Sequence, residues 1–403
     1  MLGDGMRRTV RVVALVAILA AAIAVGPASA GAQIPLPDDD PFYVQPDPMP
    51  DVPPGTVLAS RPVTIKGLGI PLPFIKAWHL LYASTDTAGD PAAAVGTVIV
   101  PAFKAKTSPR PLLSYQTAED SLNMKCAPSY RMRLGIEKEE PLIYSALLKG
   151  WVVMVPDYEG LESLFGAGVQ AGQATLDGIR AAQSFAPAGL SGAGTPVGLM
   201  GYSGGGLATT WAAELEPTYA PALNVKGVAA GGVPGNIENI ARNVNRGPFS
   251  SLYLAAALGI ARAYPELIDL DTLLNEKGKT AAAQISNLCI EQYTIPFAFK
   301  NINDYTTVGD PLLLPQVQQV LALNTLGQRT PIGPMYVYHS ILDQLIPIAD
   351  VDALVADYCD EGVTVKYRRD LLSEHIALAA TGGPAALQYL TERFAGKPAP
   401  STC

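Results

Sequence analysis

"GLMGYSGGGLATTW", residues 198–211, decides how this chain is read. An apolar, strand-like run ends at Tyr202. Ser203 follows, then three glycines and an alanine-rich stretch with helix character. Gly201-Tyr202-Ser203-Gly204-Gly205 fits G-x-S-x-G between a strand and a helix, the context that separates a nucleophile elbow from a chance match. Such a turn strains its serine so that the hydroxyl stands clear. Residues two before and two after it must be small, because a side chain there would strike the neighbouring strand or helix. Gly206 is expected to let the helix lie close to the sheet. A phosphate-binding loop fits less well: no Lys-Ser/Thr follows, and the glycines are not in G-x-G-x-x-G order.

A serine hydroxyl is a poor nucleophile and needs a base. The chain has three histidines. In an elbow fold the order is serine, acid, histidine. His79 precedes Ser203 inside a strand-like run and reads as a half-buried strand histidine. His339, in "MYVYHS", sits within or at the end of a strand and leaves no acid on a preceding strand end. His375, in "LLSEHIALA", follows a strand and precedes the last helix, where a sheet presents its base. Chain order therefore favours His375. For the acid, Asp343 in "YHSILDQLIP" opens a loop after a strand, whereas Asp350, Asp352 and Asp357 fall on the next helix as solvated charges. Asp157, in "VVMVPDYEG", precedes the serine and is a candidate for shaping the pocket. No two histidines have metal-ligand spacing, so neither a metal nor a cofactor is expected.

Around the elbow, strand-like runs at 77–85, 94–103, 110–116, 150–160, 195–203, 224–234, 333–340 and 363–371 alternate with helix-like runs at 174–186, 348–360 and 383–395. This alternation implies a mostly parallel sheet covered on both faces. It breaks over residues 236–332, a helix-rich block that reads as a cap or lid inserted at one edge of the sheet and supplying an acyl pocket. Its apolar stretch 252–260 is too short to span a bilayer. The domain reading is thus a leader at 1–30, a Pro/Asp-rich extended arm at 31–56, a core in two parts at 57–235 and 333–403, and the cap between them.

Residues 1–30 carry three arginines, an apolar run and Ala28-Ser29-Ala30, the pattern of a cleavable secretory signal. Cleavage there leaves 25 basic and 35 acidic residues, a net charge of −10. That acidity argues against nucleic acid and against anionic lipid as partners. No stable membrane anchor is expected. Export to an oxidising compartment makes two disulfides the default for Cys126, Cys289, Cys359 and Cys403. Spacing does not choose among the three pairings.

"YQTAEDSLNMKCAPSY", "VVMVPDYEG", "GYSGGGLATTWAAELEP" and "YHSILDQLIP" together give the chain a family resemblance. It resembles the secreted lipases of the Candida antarctica lipase A type, within the α/β-hydrolase superfamily, over nearly the whole of residues 31–403. The resemblance implies an α/β-hydrolase core with a helical lid, and activity on carboxylic esters including triacylglycerols, met at a lipid–water interface or as small esters. It implies a triad of Ser203, Asp343 and His375, and an oxyanion hole from the Gly204 N–H and Asp120. It also implies disulfides 126–289 and 359–403, the first expected to tie the oxyanion segment to the lid and the second to pin the C-terminal tail beneath the last helix. An ionised Asp120 would repel an oxyanion. Either the side chain is protonated and donates, or it braces the loop while its backbone N–H donates. Acyl transfer to an alcohol, peptide hydrolysis and a non-catalytic binding role are the competing functions on the same scaffold.

Overall fold

Nine strands meet in one sheet in the computed structural model, which describes residues 34–403. The expected leader, residues 1–30, lies outside the described residues. In chain order the strands are β1 (Val57–Val63), β2 (Ile75–Thr85), β3 (Pro91–Pro101), β4 (Leu112–Gln116), β5 (Val152–Pro156), β6 (Val197–Tyr202), β7 (Val225–Gly231), β8 (Met335–Ser340) and β9 (Val365–Asp370). Their order across the sheet is β1-β2-β3-β5-β4-β6-β7-β8-β9. The first three are antiparallel, and β3 is antiparallel to β5. From β5 to β9 every neighbour is parallel.

Helices α1 (Pro128–Leu134), α2 (Glu140–Leu147), α3 (Gly168–Ser184) and α4 (Gly204–Tyr219) alternate with the strands. Between β7 and β8 come α5 (Ile237–Val244), α6 (Ser250–Ala263), α7 (Leu270–Leu273), α8 (Glu276–Ile285), α9 (Ile290–Tyr293) and α10 (Pro315–Leu323). Helices α11 (Ile348–Asp360) and α12 (His375–Phe394) complete the chain.

The central strands are apolar on both sides, as burial on both faces requires. Successive residues of β5 alternate between two cores: Val152 and Met154 pack with α3 and α4, Val153 and Val155 with α2 and α12. The core on the α3–α4 face continues without a break into the cap through Tyr253, Leu254, Val317 and Val320. Among the described residues the block between β7 and β8 contains no strand, only an isolated bridge between Leu274 and Thr306.

The structure departs from the sequence expectations in four places. Strand β1 and helices α1 and α2 are not among the runs read from the sequence. Helix α12 starts at His375 rather than near 383. Glu374 caps it by accepting from the N–H groups of Ile376 and Ala377, and Gly382 and Gly383 let it lie on Tyr338 and Leu142. The arm is not merely extended: Tyr43 is buried and its hydroxyl meets Ser129 Oγ at 2.9 Å, while buried Asp40 pairs with Arg61 at 2.7 Å. The C-terminal tail was expected beneath α12. Instead it runs along edge strand β9, with Thr402 N–H donating to Val365 O at 2.8 Å and Thr402 Oγ1 accepting from Tyr367 N–H at 2.8 Å. Those bonds cover part of an otherwise unpaired strand edge.

Both disulfides have the pairing that the resemblance implies. Cys126 joins Cys289, and Cys359 joins Cys403. The second closes a 44-residue separation and holds the tail on β9. Cys403→Ser is expected to cost about 2–4 kcal/mol of stability. Turnover of a dissolved ester below the melting transition should be little changed, since the tail is remote from the elbow. Thermal unfolding with and without reductant, beside an activity assay, checks both halves.

Candidate active site

Ser203 sits between β6 and α4 with φ 55 and ψ −120, a conformation that bulky residues avoid. Its N–H donates to Gly231 O at 3.0 Å. The glycines around it are forced by backbone contact. A Cβ on Gly201 would lie 2.2 Å from Gly205 O, and one on Gly205 would lie 2.0 Å from Gln116 O. One on Gly206 would lie 2.4 Å from Gly231 O, so α4 does rest on the sheet there.

The structure brings Ser203, His375 and Asp343 into one line. Ser203 Oγ is 2.9 Å from His375 Nε2, and His375 Nδ1 is 2.6 Å from Asp343 Oδ2. Asp343 comes from the loop after β8, and His375 is the first residue of α12. The second oxygen of Asp343 accepts N–H groups from Leu345 at 2.9 Å and Ile346 at 2.8 Å. Burial works against its ionisation, but the His375 contact and these N–H groups hold its carboxyl below the usual range. An ionised Asp343 fixes Nδ1 as the protonated nitrogen, leaving Nε2 free to take a proton from the serine.

His375 is braced from two sides that the sequence reading missed. Its backbone N–H donates to Gln344 Oε1 at 3.1 Å, and Gln344 Nε2 donates to Glu374 at 2.8 Å. Tyr202 OH donates to His375 O at 2.6 Å. A polar residue directly after the acid, in the loop between β8 and α11, was the available signal for Gln344.

The other two histidines stay out of the line. His339 is buried beneath the Asp343 loop, donates Nε2–H to Ile346 O at 3.1 Å, and is held neutral by burial. His79 was expected half-buried but is fully buried. Burial, with Arg61 beside it, pushes its pKa down to about 3. Asp157 does not line the pocket. Its carboxyl is buried and accepts from the Ser129 N–H at 2.9 Å, fastening β5 to the start of α1.

Gly204 opens α4, so its N–H has no partner within the helix. The Asp120 carboxyl packs against it: a Cβ on Gly204 would come within 2.1 Å of Asp120 Oδ1. Asp120 has φ 47, and its backbone carbonyl accepts the Tyr293 hydroxyl at 2.5 Å. Burial pushes the Asp120 carboxyl pKa up, against the pull of Lys138 and His375. Two loops clasp each other to hold this geometry. Glu119 accepts the Tyr158 N–H at 2.8 Å, and Tyr158 OH accepts the Glu119 N–H at 3.3 Å. Glu159, from the same loop as Tyr158, lies against the N–H groups of Asp120 and Ser121. Both segments stood out in the sequence, yet Glu119, Tyr158 and Glu159 were not singled out.

A cavity of about 150 Å³ opens from Ser203, Gly204 and Asp120 into the cap. Its walls are almost wholly apolar, with Phe165, Leu207, Ile237, Leu252, Ile260, Leu273 and Val320 among them. Among the described residues no cluster of three or more His, Cys, Asp or Glu side chains could hold a metal.

The secretory lipase family model matches residues 128–402. The chain belongs to the secretory lipase family. It is therefore a lipase-type ester hydrolase by membership, and its α/β-hydrolase fold agrees. A Mycobacterium tuberculosis protein described as a probable inactive lipase is 40% identical over 374 residues, covering 90% of this chain and 83% of that protein. Lipase A of Arthroderma benhamiae is 37% identical over 391 residues, covering 92% and 82%. The crystal structure of Candida antarctica lipase A in its closed state superposes with a TM-score of 0.85 at 30% identity, covering 92% of this chain and 90% of that one.

His339→Ala and His375→Ala separate geometry from mere proximity, since both rings reach Asp343. Nε2 of His339 is 3.4 Å from Asp343 Oδ2. His375→Ala is expected to abolish ester turnover. His339→Ala should keep most of it while costing about 1–3 kcal/mol, because Ile346 O loses its buried donor. Turnover of a dissolved ester and thermal unfolding of the two variants are the measurements.

Proposed function

We propose that this family member is a secreted carboxylic ester hydrolase that works through an acyl-enzyme on Ser203. The observation that carries the reading is the hydrogen-bonded line Ser203–His375–Asp343 opening onto an apolar cavity in the cap. His375 takes the serine proton as Oγ attacks the ester carbonyl. The tetrahedral oxyanion is met by the Gly204 N–H and by Asp120. The imidazolium then gives its proton to the departing alkoxide, and an alcohol leaves. Water repeats the sequence on the acyl-enzyme and releases the acid. The acyl chain lies among the cap side chains, so the acyl groups of triacylglycerols and of smaller esters both suit the cavity. The leader pattern and the two disulfides support secretion.

For Asp120 the protonated side chain is the better donor. Its backbone carbonyl is taken by Tyr293, its N–H faces Glu159, and its carboxyl touches Gly204. Burial favours the neutral form, which can donate a hydrogen bond where the ionised form can only accept.

The relative described as probably inactive makes a non-catalytic role the first alternative to test. The intact line of three side chains supports catalysis in this chain. Acyl transfer is favoured by one observation, the apolarity of the cavity walls, which disfavours water over an alcohol as acceptor. Product analysis with and without an added alcohol distinguishes the two.

Ser203→Ala is expected to lose turnover while remaining folded, with ~10³-fold over water surviving from the oxyanion donors and binding. Full activity in that variant sinks the acyl-enzyme reading. Asp120→Ala should cost ~10²–10³ in turnover, as loss of an oxyanion donor does. Because a raised pKa keeps Asp120 neutral at low pH, wild-type activity should fall as pH climbs through that pKa. Asp120→Asn, a permanent donor of the same shape, should hold activity to higher pH. A pH–rate profile with an unmoved alkaline limb would return the role to the backbone.

A further inference from the structure

Opposite the edge that carries Ser203, the part of the N-terminal strand edge around β2, β3, β4 and β5 differs in chemistry from the rest of the molecule. No Asp or Glu occurs within residues 61–85, 91–118 or 141–156, although the chain holds 36 acidic residues. The same segments hold Lys66, Lys76, Lys104, Lys106 and Lys149, and none of the five ion-pairs with a carboxylate among the described residues. The carboxyl beneath this surface, Glu140, is buried.

Exposed apolar side chains lie among these lysines. Leu68 is 93% exposed, Ile70 70%, Phe74 66%, and Leu148 73%. Their segments are physically joined. Lys66 and Gly67 pair with Pro71 and Ile70 in a two-stranded hairpin that leads directly into Phe74. Ala102 N–H donates to Phe74 O at 2.8 Å, and the Phe74 and Phe103 rings meet at 6.0 Å. Arg110 donates to the carbonyls of Phe103 and of Gly150, at 2.8 Å for Gly150, which fixes the Phe103–Lys106 loop beside Lys149. Leu68 and Phe74 both adopt positive φ, 50 and 64, rare for large side chains.

We propose that this face is a docking surface for an anionic lipid bilayer. Lysines ringing exposed leucine, isoleucine and phenylalanine side chains match a surface of phosphate headgroups over acyl chains. A soluble polyanion would use the lysines but leave the apolar side chains in water, where a patch of this kind is costly to keep. The net acidity of the chain argued against such a partner, but charge is a local quantity at contact range. Screening over ~10 Å isolates this edge from distant carboxylates. Docked here, the molecule turns the Ser203 edge and its cavity away from the bilayer. The surface is therefore an anchor, separate from the place where ester is taken up. Binding is read without turnover, so its outcome is independent of the chemistry proposed for Ser203.

The test uses the chain from residue 31 with Ser203→Ala, so that vesicle lipids are not consumed. Co-sedimentation with phosphatidylcholine vesicles, with and without phosphatidylglycerol, is expected to show binding that depends on the anionic lipid and weakens with salt. Lys66→Gln, Lys76→Gln and Lys104→Gln should each cost about fivefold. Leu68→Ser with Phe74→Ser should weaken vesicle binding and leave retention on heparin unchanged. In the Ser203 background the same variants should keep their melting temperature and their turnover of a dissolved ester. Equal binding to both vesicle types, or binding indifferent to the lysines, overturns the proposal. So does heparin retention as strong as vesicle binding with no effect of the Leu68/Phe74 variant, which points to a soluble polyanion. A vesicle-free dimer dissolved by Phe74→Ser overturns it in favour of a second copy of the chain.

Discussion

Backbone-to-backbone contact at the end of β6 is the constraint from which the site follows. Helix α4 starts so close to β4 and β7 that Gly205 lies on Gln116 O and Gly206 on Gly231 O. Only a sharp turn at Ser203, at φ 55, connects strand to helix under that restriction. The turn has two consequences. It lifts the hydroxyl clear of the sheet, and it aims the unpaired N–H groups of the first turn of α4 at the same space. The proposed partners then arrive by strand order. Asp343 follows β8 and His375 follows β9, whereas Ser203 follows β6, so the imidazole must reach across the ends of β8 and β7. The loop there begins with Gly232, at φ 51, and a Cβ on it would lie 3.1 Å from His375 Cε1. The missing side chain is what leaves room for the ring.

How much of this was legible in the sequence depended on whether a residue's job is local. The elbow is local: five consecutive residues declare a strand, a strained turn and a helix, and steric reasoning explains each glycine. The sheet strands were legible because burial on both faces makes them continuously apolar. His375 and Asp343 came from chain order alone. By contrast, α1 and α2 are short and pack through few positions, and the first turns of α12 were obscured by Gly382, Gly383 and Pro384. Tyr43 and the C-terminal tail were misjudged for the opposite reason. Proline-rich segments look extended from composition, yet a single aromatic side chain or a few strand-edge hydrogen bonds is enough to seat them. Residues that act through another loop's backbone, such as Glu119, Tyr158 and Gln344, leave no periodic trace.

Acidic side chains around the proposed oxyanion hole are a puzzle only if their carboxyls are taken as ionised. Burial pushes Asp120, Glu119, Glu159 and Asp157 up from their ordinary pKa values, Asp157 to about 7. Each has a hydrogen-bonding or packing task toward a neighbouring backbone: Glu119 toward Tyr158, Asp157 toward Ser129, Glu159 toward Asp120 and Ser121. A lysine or arginine in those places would supply positive charge, but its long flexible stem would not fit between two loop backbones this close. Compact carboxyls serve the packing, and the low-dielectric setting suppresses the charge that would harm the chemistry. The Cys126–Cys289 bond and the Tyr293 hydroxyl bind this same loop to the cap, so the cavity wall and the proposed oxyanion donor are fixed by one piece of structure.

That linkage gives the two edges of the sheet different mechanical roles. On the Ser203 edge the Asp120 loop is braced by the Tyr158–Glu159 loop and by Tyr293, His375 is held by Gln344 and Tyr202, and the apolar core continues from the sheet into the cap without a gap. Displacing the cap as a rigid body would therefore expose part of a shared core and strain a disulfide-tied loop, so access to the cavity is more easily gained by local movement of cap side chains than by wholesale opening. On the opposite edge the loops carry no such burden. The hairpin at 66–71 and the loop at 102–106 are held by a few backbone hydrogen bonds and by Arg110, and Leu68 and Ile70 face outward. Contact made there does not disturb the geometry of Ser203, because the strands between the two edges are buried on both faces and close-packed. The proposed attachment and the proposed chemistry can thus vary independently on one sheet.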